Sequence, residues 1–277
     1  MTQTTVAILG SGSMGTAILA GMIQNGTKGT DVRVTTKTVT SAEELAKKYG
    51  VTAFATDYQP NANSLATEGA DVILIAVKPA YVIEVLDQVN KVVADDALVI
   101  SVAAGVQTKT MEEHLPETVS VIRAMPNTPA LVGLGLTGIS SGSRVSAEQL
   151  AAAVELFEAV GKTLVIPEEQ IDALSTISGS GPAYVFYFIE EFIYTALSHG
   201  FSQEDAYLMV SQTFLGASQL LVQSQGDPGE LRRQVTSPNG TTMKAVAVLE
   251  EGNLHDLFFK ATSAALARAK EIAQEQK

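Results

Sequence analysis

Thr4-Thr5-Val6-Ala7-Ile8-Leu9-Gly10-Ser11-Gly12-Ser13-Met14-Gly15 joins an apolar, β-branched run to three glycines in the spacing G-x-G-x-x-G. The run predicts a strand and the residues after Gly15 have helical texture, so the glycines fall on a strand-to-helix turn. There glycine lets the backbone turn tightly and approach a pyrophosphate. The helix start adds N–H donors that have no partner within the helix. The stretch therefore reads as a dinucleotide-binding loop that opens an α/β domain.

Working outward, seven more β-branched runs follow: 31–36, 51–54, 71–77, 97–102, 119–124, 136–140 and 162–166. Val72-Ile73-Leu74-Ile75-Ala76-Val77 is apolar on both faces, as a strand covered by helices on two sides must be. Helical patterns separate the runs. Ser41 with Glu44, closed by Gly50, reads as a capping box with a glycine stop, and Ser146 with Gln149 and then Gly161 repeats it. Alternating strand and helix predicts a right-handed, mostly parallel sheet. After Pro167 the strand signals cease. Helices are expected from Pro182 to Gly200, from Ser202 to about Ser224, from near Thr241, and from about Leu254 onward. The division is drawn as an α/β domain over 1–166 and an all-α domain over 167–277. Tyr184, Val185, Phe186, Tyr187, Phe188, Ile189, Phe192, Ile193 and Leu197 cover most of the helix from Pro182. A helix apolar all round must be buried all round, which implies a second copy of the chain against it.

Composition narrows the chemistry. The 277 residues carry 18 Lys and Arg against 30 Asp and Glu, a net charge of −12, with no basic stripe, which argues against nucleic acid as a partner. Cysteine is absent, which removes thiolate nucleophiles, disulfides and thiolate metal sites. The first apolar run lacks a basic flank and is broken by glycines, unlike a signal peptide. The longest later run, Ala183 to Leu197, carries Glu190 and Glu191 and is too short to span a bilayer. The expectation is a soluble cytoplasmic protein that does not enter membranes. His114, His199 and His255 are scattered near helix ends, so no metal site is expected. No Gly-x-Ser-x-Gly elbow supports a hydrolytic serine. Redox chemistry then falls to a bound dinucleotide. After the second strand, Thr35-Thr36-Lys37-Thr38 stands where an NAD site places an acid. Hydroxyls and a cation suit the 2′-phosphate of NADP. Three loops remain unexplained by fold alone: Val77-Lys78-Pro79, Arg123 to Pro129, and Thr236 to Thr242. The last leads into a helix and has the make-up of a carboxylate site.

Three stretches carry a resemblance over essentially the whole chain: Arg123 to Leu131 (RAMPNTPAL), Ser178 to Glu190 (SGSGPAYVFYFIE) and Ser237 to Glu250 (SPNGTTMKAVAVLE). In content, order and spacing the sequence resembles pyrroline-5-carboxylate reductase, the last enzyme of proline biosynthesis. The resemblance implies a Rossmann-type dinucleotide-binding domain followed by a helical dimerisation and substrate domain, assembled as a homodimer or a higher homo-oligomer. It implies that NADP(H) is contacted by Leu9, Gly10, Ser11, Gly12, Ser13, Met14, Thr36, Lys37, Asn63, Ala76, Val77, Lys78, Pro79, Met125, Pro126, Asn127 and Thr128. Ser237, Gly240, Thr241 and Thr242 would hold 1-pyrroline-5-carboxylate, and reduction of its ring C=N bond by NAD(P)H would give L-proline. Thr242 is the catalytic candidate, orienting the ring nitrogen and relaying a proton. Glu168 is a further candidate to stabilise the cationic imine. Asn239 stands where many relatives have glycine. Two rival readings are a reductase of another imine or a β-hydroxyacid on the same architecture, and a non-catalytic dinucleotide sensor. A hydroxyacid enzyme would offer a lysine at the substrate loop, and none occurs there before Lys244.

Overall fold

A computed structural model describes residues 4–275. Each β-branched run forms a strand: β1 (Val6–Leu9), β2 (Val32–Thr36), β3 (Thr52–Ala55), β4 (Val72–Ile75), β5 (Leu98–Ser101), β6 (Ser120–Met125), β7 (Gly135–Ser141) and β8 (Gly161–Val165). They form one sheet in the order β3-β2-β1-β4-β5-β6-β7-β8. All neighbours pair in parallel except β6 and β7, which are antiparallel. The 126–134 loop between those two is too short for the crossover that a parallel pair needs.

Helices α1 (Ser13–Gln24), α2 (Val39–Tyr49), α3 (Ala62–Thr67), α4 (Val82–Val89), α5 (Thr108–Glu113) and α6 (Ala147–Glu158) cover the sheet. Successive strand residues point to opposite faces, and each face has its own core. Ile8, Leu74 and Ile100 pack with Ile18 of α1 and Phe157 of α6, while Leu9, Ile75 and Val99 pack with Leu86 of α4 and Met111 of α5. The Ser146–Gln149 capping box is formed in both directions. The one at Ser41 is not. α2 begins earlier, with Thr38 as its cap accepting from the Ser41 N–H at 3.3 Å, and only the Gly50 stop (φ +69°) falls where the sequence puts it.

The chain forms two compact units, one running to Ser180 and including residues from Ala265, the other Gly181–Ala264. The first unit extends beyond Ile166 because the residues after Pro167 are tied into it. Ile171 is buried, Glu168 accepts from the N–H and hydroxyl of Thr108, and Asp172 pairs with buried Arg123. This segment comprises α7 (Ile171–Leu174) and one π-helical turn over Ser175–Gly179, closed by the Ser180 N–H on the Ser175 carbonyl at 2.8 Å.

The second unit contains α8 (Gly181–Ser198), α9 (Gln203–Ser224), α10 (Pro228–Gln234), α11 (Thr241–Glu251) and the first half of α12 (Leu254–Glu275). Short α10 escapes periodicity, although Asp227 caps it and Pro228 opens it. Phe192 meets Phe214 edge-on at 6.0 Å, and Phe188 lies 5.8 Å from Phe258. No residue of α8 is buried within one chain, and Phe186 is 66% exposed. Among the described residues no helix is long and apolar enough to cross a membrane.

Gly21 of α1 packs directly on the end of α6, where an added Cβ would run into the Val160 side chain and approach the Ala159 carbonyl to 2.8 Å. Gly21→Ala should destabilise the fold by about 1–3 kcal/mol, because a clash with backbone outweighs the ~1 kcal/mol helical advantage of alanine. A lower urea midpoint at unchanged m-value would report it.

Candidate active site

The glycine loop lies at the carboxyl end of β1, against the end of β4. Gly10 has φ +86°, and a Cβ there would come within 2.5 Å of Val77 Cγ1 and 3.1 Å of its backbone nitrogen. Gly15 faces Ala76 at 3.2 Å, whereas Gly12 faces open space. Gly12 is also the N-cap of α1, in extended conformation and without a side-chain capping bond. The first-turn N–H groups of Ser13, Met14 and Gly15 therefore lack intrahelical acceptors beside a cleft that no side chain fills. This cradle suits a pyrophosphate.

Asn63 and the glycine loop, far apart in sequence, are joined through Thr35. The Gly10 N–H donates to Thr35 Oγ1 at 2.9 Å, the Thr35 hydroxyl donates to Asn63 Oδ1 at 2.9 Å, and Asn63 Nδ2 donates to Gln88 Oε1 at 2.7 Å. The Ser11 N–H adds a bond to the Thr35 carbonyl at 2.7 Å. Asn63 and Thr35 thus set the loop from behind. Gln88 does not figure in the sequence reading, since it belongs to no motif, and Thr35 figures there only as one of the hydroxyls after the second strand, not as a support of the glycine loop.

At the end of β2, Thr36 is buried and its hydroxyl holds the turn by donating to the Thr38 carbonyl at 2.9 Å, while Lys37 is exposed. Lys37 stands beside the start of α2 with no acid before Glu43. The ends of β4, β5 and β6 lie side by side, Ile75 opposite Ser101 and Ser101 opposite Arg123. Ala76–Pro79 and Met125–Thr128 accordingly flank Val102–Gly105, a stretch missed in the sequence. Only its place after β5 marks it, because it carries no polar side chain. Asn127 donates to the Ser178 carbonyl at 2.9 Å and accepts from the Leu136 N–H at 2.8 Å. Glu168 has both oxygens committed to Thr108 and lies 3.7 Å from the Arg123 guanidinium, so its charge is already matched within the first unit.

In the second unit Ser237 and Gly240 lie in the turn ahead of α11, and Thr241 and Thr242 are its first two residues. The Gly240 N–H donates to the Ser237 carbonyl at 3.0 Å, and Gly240 is an N-cap without a side-chain bond. Thr241, Thr242 and Met243 begin the helix with N–H groups that lack intrahelical acceptors. Asn239 has φ +59°, the left-handed conformation that asparagine tolerates best after glycine. Among the described residues no three His, Asp or Glu side chains gather as a metal site.

Residues 168–272 match the family model for pyrroline-5-carboxylate reductase dimerisation, and residues 5–105 match that for NADP oxidoreductase, coenzyme F420-dependent. The chain is 35% identical to a pyrroline-5-carboxylate reductase of Corynebacterium melassecola, covering 98% of this chain and 100% of that one. A solved pyrroline-5-carboxylate reductase from Coxiella burnetii superposes with TM-score 0.91 at 36% identity, over 98% of this chain and 99% of that one. The Plasmodium falciparum pyrroline carboxylate reductase, solved with NADP bound, gives TM-score 0.85 at 26% identity and covers 99% of both chains.

Thr35→Val keeps the shape of the side chain but strands the Gly10 N–H and removes the link to Asn63. An unpaired buried donor costs about 1–3 kcal/mol, so NADPH affinity should fall about tenfold or more, with Thr35→Ser restoring most of it. Fluorescence titration of bound NADPH measures both.

Proposed function

This chain belongs to the pyrroline-5-carboxylate reductase family, and from that premise we propose how its residues share the reduction of 1-pyrroline-5-carboxylate to L-proline. NADP(H) is the cofactor. The observation that carries the assignment is the single sheet edge along which β1, β2, β4 and β6 present Leu9–Met14, Thr36, Lys37, Ala76–Pro79 and Met125–Thr128. Ser13 and Met14 receive the pyrophosphate on backbone N–H groups, Gly12 leaves the approach open, and Asn63 holds the loop from behind. Lys37 and the start of α2 receive the 2′-phosphate, and Thr36 shapes that turn. Ala76–Pro79 and Met125–Thr128 line the nicotinamide half.

When bound, NADPH supplies the hydride for the imine carbon. The protein's own work is to hold the substrate and manage the proton. The N–H groups that open α11, at Thr241 and Thr242, take the carboxylate, while Ser237 and Gly240 shape the turn beneath them. The Thr242 hydroxyl hydrogen-bonds to the ring nitrogen, orienting it and relaying a proton that comes ultimately from water. A threonine hydroxyl is too weak an acid to supply that proton alone.

The all-α part serves dimerisation. Its match to the dimerisation model and the open apolar surface of α8 support a homodimer. The dependence on reduced dinucleotide, regenerated by metabolism, supports a cytoplasmic enzyme.

Steady-state oxidation of NADPH with pyrroline-5-carboxylate tests the reading. Thr242→Ala should lower kcat by roughly 10²-fold, as for a positioned proton-transfer group, while Thr242→Ser retains far more activity. An unchanged kcat with a raised KM would reduce Thr242 to a binding role. Lys37→Glu should shift the NADPH-to-NADH ratio of kcat/KM by about tenfold or more toward NADH, since an acid repels the 2′-phosphate and accepts from the 2′-hydroxyl.

A further inference from the structure

Arg123 and Met125 share one face at the end of β6, and they and Asn127, just beyond the strand, meet a single segment. Arg123 Nη2 donates to Asp172 Oδ1 at 2.6 Å. Two residues on, the Met125 methyl lies over Gly179, 3.3 Å from where a Cβ would be. Two further on, Asn127 Nδ2 donates to the Ser178 carbonyl at 2.9 Å. The contacts fall on α7 and on the π turn, a rare geometry that recurs at functional sites. Arg123, Met125, Asp172 and Ser175 also line one cavity of about 370 Å³. The Arg123 side chain is only 4% exposed, and its partners are Asp172 and the more distant Glu168 at 3.7 Å.

We propose that Asp172–Ser178 is a brace for the Met125–Thr128 loop, and that Asp172 and Asn127 are positioning residues for the nicotinamide half of the dinucleotide. This rests on assigning that loop to the cofactor. The Arg123–Asp172 pair fixes where the loop leaves the sheet, and Asn127 fixes its far end by spending its amide on Ser178 and on the Leu136 N–H. Met125 and Asn127 then serve the cofactor through backbone position. The adenosine half, at the end of β2, lies outside the reach of the brace, which gives the proposal a selective signature.

The test titrates full-length protein with two probes, NADPH and adenosine 2′,5′-bisphosphate, which lacks the nicotinamide half. Asp172→Asn and Asn127→Ala should each weaken NADPH about tenfold and leave the bisphosphate within about twofold. Asp172→Glu, which keeps the charge, should recover much of the loss. The double variant should lose less than the product of the single losses, because both act on one loop. Thr128→Asp, placed in the loop itself, tests the underlying assignment. If it weakens NADPH while the brace variants do not, the brace is wrong and the loop assignment stands. If none of the three affects NADPH, the loop assignment falls as well. Equal loss of both probes would mean general damage to the fold and would overturn the brace.

Discussion

Between β1 and β4 the sheet stops growing in one direction and starts growing in the other, and there Gly10 rests on Val77 with no room for a methyl group. The rest of the first unit depends on that approach. A crevice opens outside the carboxyl ends of the strands where the order reverses, and only a backbone without Cβ, in a conformation closed to most residues, lets α1 start at its floor. Thr35 reinforces the same point from the neighbouring strand by accepting from the Gly10 N–H through its hydroxyl and from Ser11 through its carbonyl. Asn63 and Gln88 hold that hydroxyl in place. The conformation of the loop is therefore set by the sheet and α3 together before any ligand arrives.

The two units spend their apolar residues differently. In the first, every strand residue of β1, β4 and β5 is buried, so each face of the sheet has a closed core. In the second, Ala206 and Val210 are the buried apolar residues, while Phe186, Tyr187, Leu215 and Phe259 each leave more than half their surface open. At roughly 25 cal/mol per Å² of apolar area, covering several such side chains is worth many kcal/mol. A bundle of this composition leaves most of its large apolar side chains uncovered within one chain.

Much of this was legible in the chain. The central runs became strands because a strand covered on both faces must be apolar on both, whereas the partly exposed edge strands β3 and β8 were legible only through their β-branched residues. The direction of β7 was not legible, since period-two patterning is the same for parallel and antiparallel strands and only the short loop before it hints at reversal. The start of α2 was misplaced because Thr38 and Ser41 are both able to cap. The structure resolves the choice by making Ser41 the donor to Thr38. The boundary at Ile166 followed the end of strand signals, whereas ion pairs from Glu168 and Asp172 to Arg123 carry the first unit on to Ser180. Those pairs join residues more than forty positions apart, and no local pattern announces them. For the same reason the glycine motif could be named while the hydrogen bonds that hold it, from Thr35 through Asn63 to Gln88, could not.

The two proposed anion sites share a device by which so acidic a chain would handle anionic ligands. Thr38, Ser146, Ser202 and Asp227 cap their helices with side-chain oxygens, each satisfying an N–H of the first turn. The helices that face the proposed pyrophosphate and carboxylate begin instead at Gly12 and Gly240, both extended and both without a capping bond. A serine or aspartate there would occupy the donors the ligand needs, and glycine in its place costs only a few tenths of a kcal/mol. Recognition by such donors is local, acting through N–H groups and the positive end of the helix dipole within the first turn. It therefore does not require a basic surface, and a net charge of −12 is compatible with binding a multiply charged dinucleotide and a carboxylate substrate.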